Sequence, residues 1–411
     1  MAHDVSRKFI PYGRQWIDND DVQAVIDVLK SDWLTQGPGS REFEKKFAEY
    51  CGSKYAVSVT SGTAALHLAC LAAEAGQGDE IITSPITFAA SSNCALYVGA
   101  APVFLDIDPE TICLDHRKLK DYLNSSHDNK AKAIIPVHFA GLPCNMEEIS
   151  QSARDNGLVI IEDACHALGA EYGSQEQNKK TTDRVKVGSC KYSDMTVFSF
   201  HPVKHITTGE GGMITTNNTE LYEKLLMLRT HGITKKLTTD TGLSFSKLKE
   251  SQITAQDYYY EMQRLGFNYR LTDIQCALGI SQLKKLDIFL ERRKSIADYY
   301  NDALRELEDY IIFPPDDNGN HAWHLYVIQL KTGGRDEVFK KLRENGIGVQ
   351  VHYIPVYFHP YYRMMGYKER LCPHAEDYFH RAITLPLYPS MDRGDMERVV
   401  EEVFKAVKGG S

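Results

Sequence analysis

One lysine, Lys204, lies in a setting that suits covalent chemistry. It stands between a short apolar run that begins at Phe198 and a turn that contains Gly209, Gly211 and Gly212. A lysine that bonds to an electrophile must be held in place and partly removed from water. An apolar strand and a tight turn could provide both conditions. However, most lysines in loops are simply solvated. The catalytic role of Lys204 therefore depends on whether other residues of the chain provide partners for it.

An acid, Asp163, ends another apolar run, which begins at Leu158, and is closely followed by His166. In open α/β sheets, ligands bind at the carboxyl ends of the strands. A buried aspartate there is costly unless it faces a cation, and a protonated pyridine nitrogen is a suitable cation. A capping or salt-bridging aspartate is the simpler alternative at such a position.

A hydroxyl-rich turn at Ser61, Gly62 and Thr63 leads from a strand candidate into a helix candidate. The free amides at a helix start, together with hydroxyl groups, can bind phosphate. Serine and threonine are also ordinary helix caps, so this motif is weak when it stands alone. Ser199 adds a further hydroxyl on the run that leads to Lys204.

An aromatic residue, Phe88, lies at the next strand-to-helix junction. It could stack on a flat heteroaromatic ring, although an aromatic side chain at such a junction is more often part of the core. Together, a lysine, an acid, a hydroxyl-rich helix start and an aromatic at one sheet edge meet the requirements of a phosphorylated pyridine aldehyde.

An α/β pattern must position these residues. Between about residues 55 and 216, short apolar runs alternate with helical patterns, which is typical of a mostly parallel sheet covered by helices. Many of the runs are continuously apolar, as expected for strands buried on both faces. The seven candidate strands begin at Tyr55, Glu80, Ala101, Ala131, Leu158, Met195 and Gly211, and candidate helices cover residues 20–30, 62–75 and 146–156.

A change of pattern near Leu271 predicts a domain boundary. We expect a large domain over residues 1–270, including an N-terminal arm, and a bridging helix with a small C-terminal domain over residues 271–411. The long helical stretch after Leu271 is either one bent helix or two helices. Within the large domain, the polar stretch at residues 237–260 favours a binding loop or lid over core.

The C-terminal part has the elements of a smaller α/β unit. Strands are predicted from His324 and from Gly346, and helices over residues 336–345 and 392–407.

Composition excludes several classes of protein. The chain has 411 residues, 43% of them hydrophobic, and a formal net charge of −8, which argues against non-specific nucleic-acid binding. No stretch approaches the roughly 20 apolar residues of a membrane span, and the first residues lack the apolar segment of a secretory signal. The nine cysteines are scattered without a CxxC pair. Free thiols, no metal site and a soluble, cytoplasmic protein are therefore expected.

Five segments, taken in order, resemble the fold type I sugar-nucleotide aminotransferases of the DegT family. They are SGTAALHL from Ser61, EDACHALGAEY from Glu162, SFHPVKHITTGEGG from Ser199, GFNYRLTDIQCALGISQL from Gly266 and QVHYIPVY from Gln350. The resemblance covers nearly the whole chain, and within the family it is strongest to the subgroup that serves pseudaminic acid synthesis. It implies the fold type I transferase fold, with a seven-stranded, mostly parallel sheet and helices on both faces.

The resemblance also implies pyridoxal 5'-phosphate (PLP) as cofactor, with its pyridoxamine form (PMP). Lys204 would form the Schiff base with PLP and carry a proton between substrate and cofactor. Asp163 would keep the pyridine nitrogen protonated, and Phe88 would stack on the ring. The remaining implied cofactor contacts are His166 to the ring hydroxyl, Gly62, Thr63 and Ser199 to the phosphate, and Asn268 to the phosphate bound by a neighbouring subunit.

As substrates, the resemblance implies L-glutamate as amino donor and the C4 keto group of a UDP-linked 4-keto-6-deoxy-N-acetylhexosamine as acceptor. A homodimer with shared active sites is implied as well. Arg270 could offset pyrophosphate charge, whereas Arg229 could merely complement a helix dipole. The implied substrate-binding residues are Tyr12, Arg229, Tyr269, Arg270, His352 and Tyr353.

Three other functions remain open. The acceptor could be another nucleotide ketosugar, of the perosamine or thymidine-linked type, because pocket shape selects the sugar. A PMP-dependent sugar dehydratase is disfavoured because such relatives carry histidine in place of the lysine, whereas here His205 stands beside Lys204. A non-catalytic PLP-binding regulatory protein could keep the same fold, although the intact set of Lys204, Asp163, Ser199 and Asn268 argues against it.

Overall fold

A seven-stranded sheet forms the centre of the computed structural model, which describes residues 8–125, 130–173, 185–234, 258–315 and 319–409. Only β9 runs antiparallel to its neighbours, β1 and β8, and the other neighbouring strands are parallel. The α/β class, the mostly parallel sheet and all seven predicted strands are therefore confirmed. In spatial order, with numbering along the chain, the strands are β1 (Tyr55–Val59), β9 (Gly212–Thr216), β8 (Met195–Ser199), β5 (Val159–Asp163), β4 (Ala131–Ile135), β2 (Glu80–Thr83) and β3 (Ala101–Phe104).

The described part of the chain also contains three smaller sheets and thirteen α-helices. The small sheets pair β6 (Glu171–Tyr172) with β7 (Val185–Lys186), β10 (Ile233–Thr234) with β11 (Glu261–Met262), and β13 (Tyr326–Leu330) with both β12 (Ile311–Ile312) and β14 (Ala382–Leu385). The helices are α1 (Asn19–Leu29), α2 (Pro38–Cys51), α3 (Gly62–Ala72), α4 (Ala90–Tyr97), α5 (His116–Asn124), α6 (Met146–Asp155), α7 (Thr219–Arg229), α8 (Asp273–Leu283), α9 (Leu286–Ala303), α10 (Arg335–Glu344), α11 (Pro360–Met364), α12 (Pro373–Arg381) and α13 (Arg393–Lys408). In these residues, no helix combines the length and the apolar character needed to cross a membrane.

Helix α3 is buried along most of its length, which explains its alanine-rich sequence. Its small side chains, such as Ala65 and Ala69, pack in one apolar cluster with Val57 of β1 and Val197 of β8. The Oγ atom of Ser61 accepts a hydrogen bond from the amide of Ala64 at 3.1 Å and so fixes where the helix begins. The start of α3 is thereby held at one edge of the sheet.

The long helical stretch after Leu271 forms two helices, α8 and α9, separated at Lys284 and Lys285. A capping box between Thr272 and Gln275 begins α8. The second half of α9 packs into a C-terminal apolar cluster with β13, β14 and α13, whereas its first turn joins the cluster of the large sheet. Helix α9 thus contributes to both clusters, and the clusters alone do not define a domain boundary. The predicted domain division at residue 270 therefore stays a prediction.

The strand predicted from Gly346 is wrong. In its place are isolated bridges from Ile347 to Ile10 and from Gln350 to Thr384. Because the two bridges involve different partners, no continuous ladder forms. The predicted binding loop at residues 237–260 lies outside the described residues, apart from its last three.

Candidate active site

A cavity of about 480 Å³ lies at the carboxyl ends of β5 and β8. These strands are parallel neighbours, so their last residues, Asp163 and Ser199, lie at the same edge of the sheet. Lys204 lies in the connection from β8 to β9. The structure therefore brings together most of the predicted site; those of its residues that line the cavity are Tyr12, Gly62, Thr63, Phe88, Asp163, His166, Ser199, Lys204, His352 and Tyr353.

The carboxylate of Asp163 is 5% exposed and is held by two donors. The hydroxyl of Ser91 donates to it at 2.6 Å, and the amide of Cys165 donates at 3.1 Å. Among the described residues, no lysine, arginine or histidine forms a salt bridge with Asp163, so the salt-bridging alternative finds no support there. A buried carboxylate that faces a cavity without such a partner suits a cationic ligand atom.

The side chain of Lys204 is the nucleophile candidate of the cavity. Burial lowers the pKa of its amino group, against the opposing effect of Cys165 and Asp163, while Arg293 lowers it further. Its Nζ atom lies 3.5 Å from Nε2 of His324. A lowered pKa increases the fraction of neutral amine, which is the form that attacks a carbonyl carbon or accepts a proton.

Gly62 allows a close approach between the start of α3 and the end of β8. A Cβ atom at this position would lie 2.9 Å from Cβ of Ser199 and 3.2 Å from Sγ of Cys165. Glycine therefore allows the helix start and the hydroxyl of Ser199 to approach each other. The positive end of the helix dipole with nearby hydroxyls of Thr63 and Ser199 matches the needs of a phosphate group.

The opposite wall of the cavity is aromatic. Phe88 is 64% exposed, so it is not the core residue that its position allowed. Its ring centroid lies 6.5 Å from that of Tyr353, whose hydroxyl lies 3.1 Å from Nε2 of His166. Burial and the nearby Lys204 hold the pKa of His166 well below its usual value, and its buried Nδ1 has no partner among the described residues. A neutral His166, with one ring nitrogen that lacks a hydrogen-bond partner, is suited to bind a polar substituent on the ring of a bound cofactor.

Four predicted site residues do not line this cavity. Arg229 forms an ion pair with Glu44 and donates to the carbonyl oxygen of Ser58 at 2.8 Å. With Arg270 it lines a second cavity of about 800 Å³. We assign the site to the smaller cavity because it holds both Lys204 and the carboxylate at the end of β5.

The other two residues of this group are Asn268 and Tyr269. Asn268 forms a bridge with Thr230, and the hydroxyl of Tyr269 lies 3.3 Å from Nδ1 of His67. Their roles, and those of Arg229 and Arg270, stay predictions.

Sequence reasoning missed Ser91 and His324. The sequence offered only one indication of a role for Ser91, namely a hydroxyl group near Phe88 at the start of α4. His324 had no signal beyond its place at the start of a predicted strand.

The lysine, the strand-end acid and the open helix start can together hold PLP, and the sequence pattern of the DegT/DnrJ/EryC1/StrS aminotransferase family matches residues 15–404. The chain belongs to this family. It is 41% identical to the spore coat polysaccharide biosynthesis protein SpsC of Bacillus subtilis, over 98% of both chains. It is 36% identical to the UDP-4-amino-4,6-dideoxy-N-acetyl-beta-L-altrosamine transaminase of Campylobacter jejuni, which covers 97% of this chain and 98% of that one.

Solved structures agree with this assignment. PseC of Helicobacter pylori, an aminotransferase of pseudaminic acid biosynthesis, is 31% identical and superposes with a TM-score of 0.83 over 98% of this chain and all of the other. A protein described as a putative sugar aminotransferase of Streptococcus pneumoniae, 28–29% identical over 97–98% of this chain and 99% of the other, has been solved in both PLP and PMP forms and superposes with a TM-score of 0.84. The chain is therefore a PLP-dependent sugar aminotransferase, as the resemblance implied.

Proposed function

We propose that this aminotransferase moves the amino group of L-glutamate to C4 of a UDP-linked 4-keto-6-deoxy-N-acetylhexosamine. One observation carries the chemistry: Lys204 and the buried carboxylate of Asp163 line one cavity with the open start of α3. The names of the Campylobacter jejuni and Helicobacter pylori relatives support the choice of sugar and the pathway of pseudaminic acid.

In this function, each residue of the cavity has a definite task. When bound, PLP supplies a protonated ring that draws electron density from the carbon bearing the amino group. Asp163 holds the positive charge at the ring nitrogen, and Ser91 and the amide of Cys165 hold Asp163. Lys204 anchors the cofactor and then carries a proton between the two reacting carbon atoms. Gly62, Thr63 and Ser199 bind the phosphate, Phe88 covers the ring, and His166 binds the ring hydroxyl.

The substrate and the second subunit complete the site. Tyr12, His352 and Tyr353 line the cavity near Lys204 and bind the sugar nucleotide. Asn268 reaches the phosphate in the neighbouring subunit of a homodimer. Tyr269, Arg229 and Arg270 contribute to the substrate site, with Arg270 facing the pyrophosphate. The proposed location is the cytoplasm, where glutamate and nucleotide sugars are available.

A second candidate is amination of a different nucleotide ketosugar. The higher identity to SpsC, a protein of spore coat polysaccharide synthesis, favours it. Incubation with glutamate and a panel of UDP- and dTDP-linked ketosugars separates the two, because only the true acceptor gains an amino group. Amination of a dTDP-linked sugar alone would refute the UDP assignment.

The role of Lys204 is tested by Lys204→Ala. We expect partial retention of cofactor binding and loss of turnover, whereas Lys120→Ala, at an exposed position, should behave like the wild type. Appreciable transamination by Lys204→Ala would refute the role of Lys204. A glutamate half-reaction without any change in cofactor absorbance in the wild type would instead favour a non-catalytic PLP-binding protein.

A further inference from the structure

A buried histidine, His324, lies beside Lys204 and has no part in the function described above. Its side chain is 4% exposed, and its Nε2 atom lies 3.5 Å from Nζ of Lys204. Its ring packs against those of His166, at a centroid distance of 4.4 Å, and His205, at 5.5 Å. Among the described residues, His324 is the only side chain within hydrogen-bonding distance of this amino group.

The backbone around His324 is held in an unusual conformation. Trp323 has a φ of 47°, in the left-handed region that bulky residues rarely adopt. The amides of His324 and Leu325 both donate to the carbonyl oxygen of Ala140, at 2.9 and 3.1 Å. Such strain persists only where the surroundings impose it, and it is concentrated at functional sites.

A fully buried arginine, Arg293, fixes the same segment. Its Nη1 atom donates to the carbonyl oxygens of Trp323, His324 and Leu387, each at 3.2 Å. In the part of the chain that the structure describes, no carboxylate pairs with it. Arg293 is therefore a buried cation that secures the peptide carrying the imidazole.

His324 remains neutral in these surroundings. Burial lowers the pKa of its imidazole well below the usual value, and Lys204, His166, His205 and Arg293 lower it further. A neutral imidazole has one ring nitrogen with a free lone pair, which can accept a hydrogen bond from an ammonium group.

We propose that His324 is a positioning residue that accepts a hydrogen bond from the amino group of Lys204 whenever that amino group is not bonded to the cofactor. This inference rests on the proposed role of Lys204. In the PMP form, the amino group of Lys204 is free and must stay close to the reacting carbon with its proton. The hydrogen bond to His324 holds it there.

Other groups also shift the pKa of Lys204, so the experiment must distinguish their effects from the effect of His324. Asp163 and Cys165 raise its pKa, and Arg293 lowers it. The imidazoles of His166, His205, His324 and His352 also interact electrostatically with Lys204, which lowers the pKa of each of them.

The experiment measures the pKa of Lys204 in the PMP form of the full-length protein. Competitive labelling with acetic anhydride over a range of pH, with mass spectrometry of the Lys204 peptide, gives this value without turnover. In His324→Phe, the lost acceptor should lower the pKa by about one unit, a tenfold change in the ratio of charged to neutral amine. His324→Gln places an amide oxygen near the position of Nε2 and should restore the wild-type value. His205→Gln is the matched control, because His205 bonds to the carbonyl oxygen of Ala322 and should leave the pKa unchanged.

Two results would overturn the inference. One is an unchanged pKa in His324→Phe, and the other is an equal fall in the Phe and Gln variants, which would indicate burial and not hydrogen bonding. His324→Leu takes the place of His324→Phe should that variant lose its cooperative melting transition. Absence of amino transfer in the wild type refutes the proposed function, whereas normal transfer with an unchanged Lys204 pKa refutes only the role of His324.

Discussion

Replacement of Gly62 by alanine tests whether the start of α3 and the end of β8 form one tight cradle. In an ordinary helix, this change stabilises by about 0.5–1 kcal/mol because alanine has the higher helix propensity. Here the new Cβ atom would lie 2.9 Å from Cβ of Ser199, closer than such atoms approach, and 3.2 Å from Sγ of Cys165. Overpacking of this kind costs about 1–3 kcal/mol. We therefore expect net destabilisation of the apoprotein by about 1 kcal/mol.

The same displacement acts on the cofactor. Because the amides of α3 and the hydroxyl of Ser199 would move apart, we expect PLP to bind about tenfold more weakly, which corresponds to about 1.4 kcal/mol. Urea unfolding of the apoprotein and fluorescence titration with PLP measure the two effects. Gly76→Ala is the matched control: its nearest atom is the carbonyl oxygen of Val98, 4.0 Å from the added Cβ. If Gly62→Ala behaved like this control in both assays, the cradle would not exist as described.

Two further predictions concern the buried polar groups of the cavity. Ser91→Ala removes the 2.6 Å hydrogen bond to Asp163 and should destabilise the apoprotein by about 1.5–3 kcal/mol, while Ser91→Thr keeps the hydroxyl and most of the stability. Urea unfolding of the two variants checks this, and equal free energies of unfolding would contradict it. Burial lowers the pKa of His352 from its ordinary 6.5 to about 3, so the unfolded chain binds the additional proton between these pH values. Stability should therefore fall as the pH is lowered through this range, and His352→Asn should reduce the slope of the urea midpoint against pH below about pH 6.5; an unchanged slope there would exclude His352 as its source.

The sequence was sufficient to predict those parts of the site that depend on local patterns. Asp163 and Ser199 could be predicted because each ends a continuously apolar run, and the ends of parallel strands share one sheet edge. The turn before α3 was predictable for a similar reason, since small and hydroxyl residues begin helices. The tertiary arrangement of these local features follows from the sheet order.

Partners that are distant in sequence could not be predicted. Glu44 and Arg229 form an ion pair across 185 positions, and no periodicity of either helix identifies the partner. The nearness of His324 to Lys204 depends likewise on backbone that Arg293 fixes from α9. The strand expected from Gly346 failed for the same reason, because an apolar run predicts burial but not a neighbouring strand.

The cavity joins residues from Tyr12 to Tyr353, and this separation has a consequence for folding. The binding site is complete only when the N-terminal arm and the C-terminal segment are both in place. Bringing such distant residues together costs the entropy of closing long loops. A cofactor that binds only the completed site stabilises the folded protein by mass action.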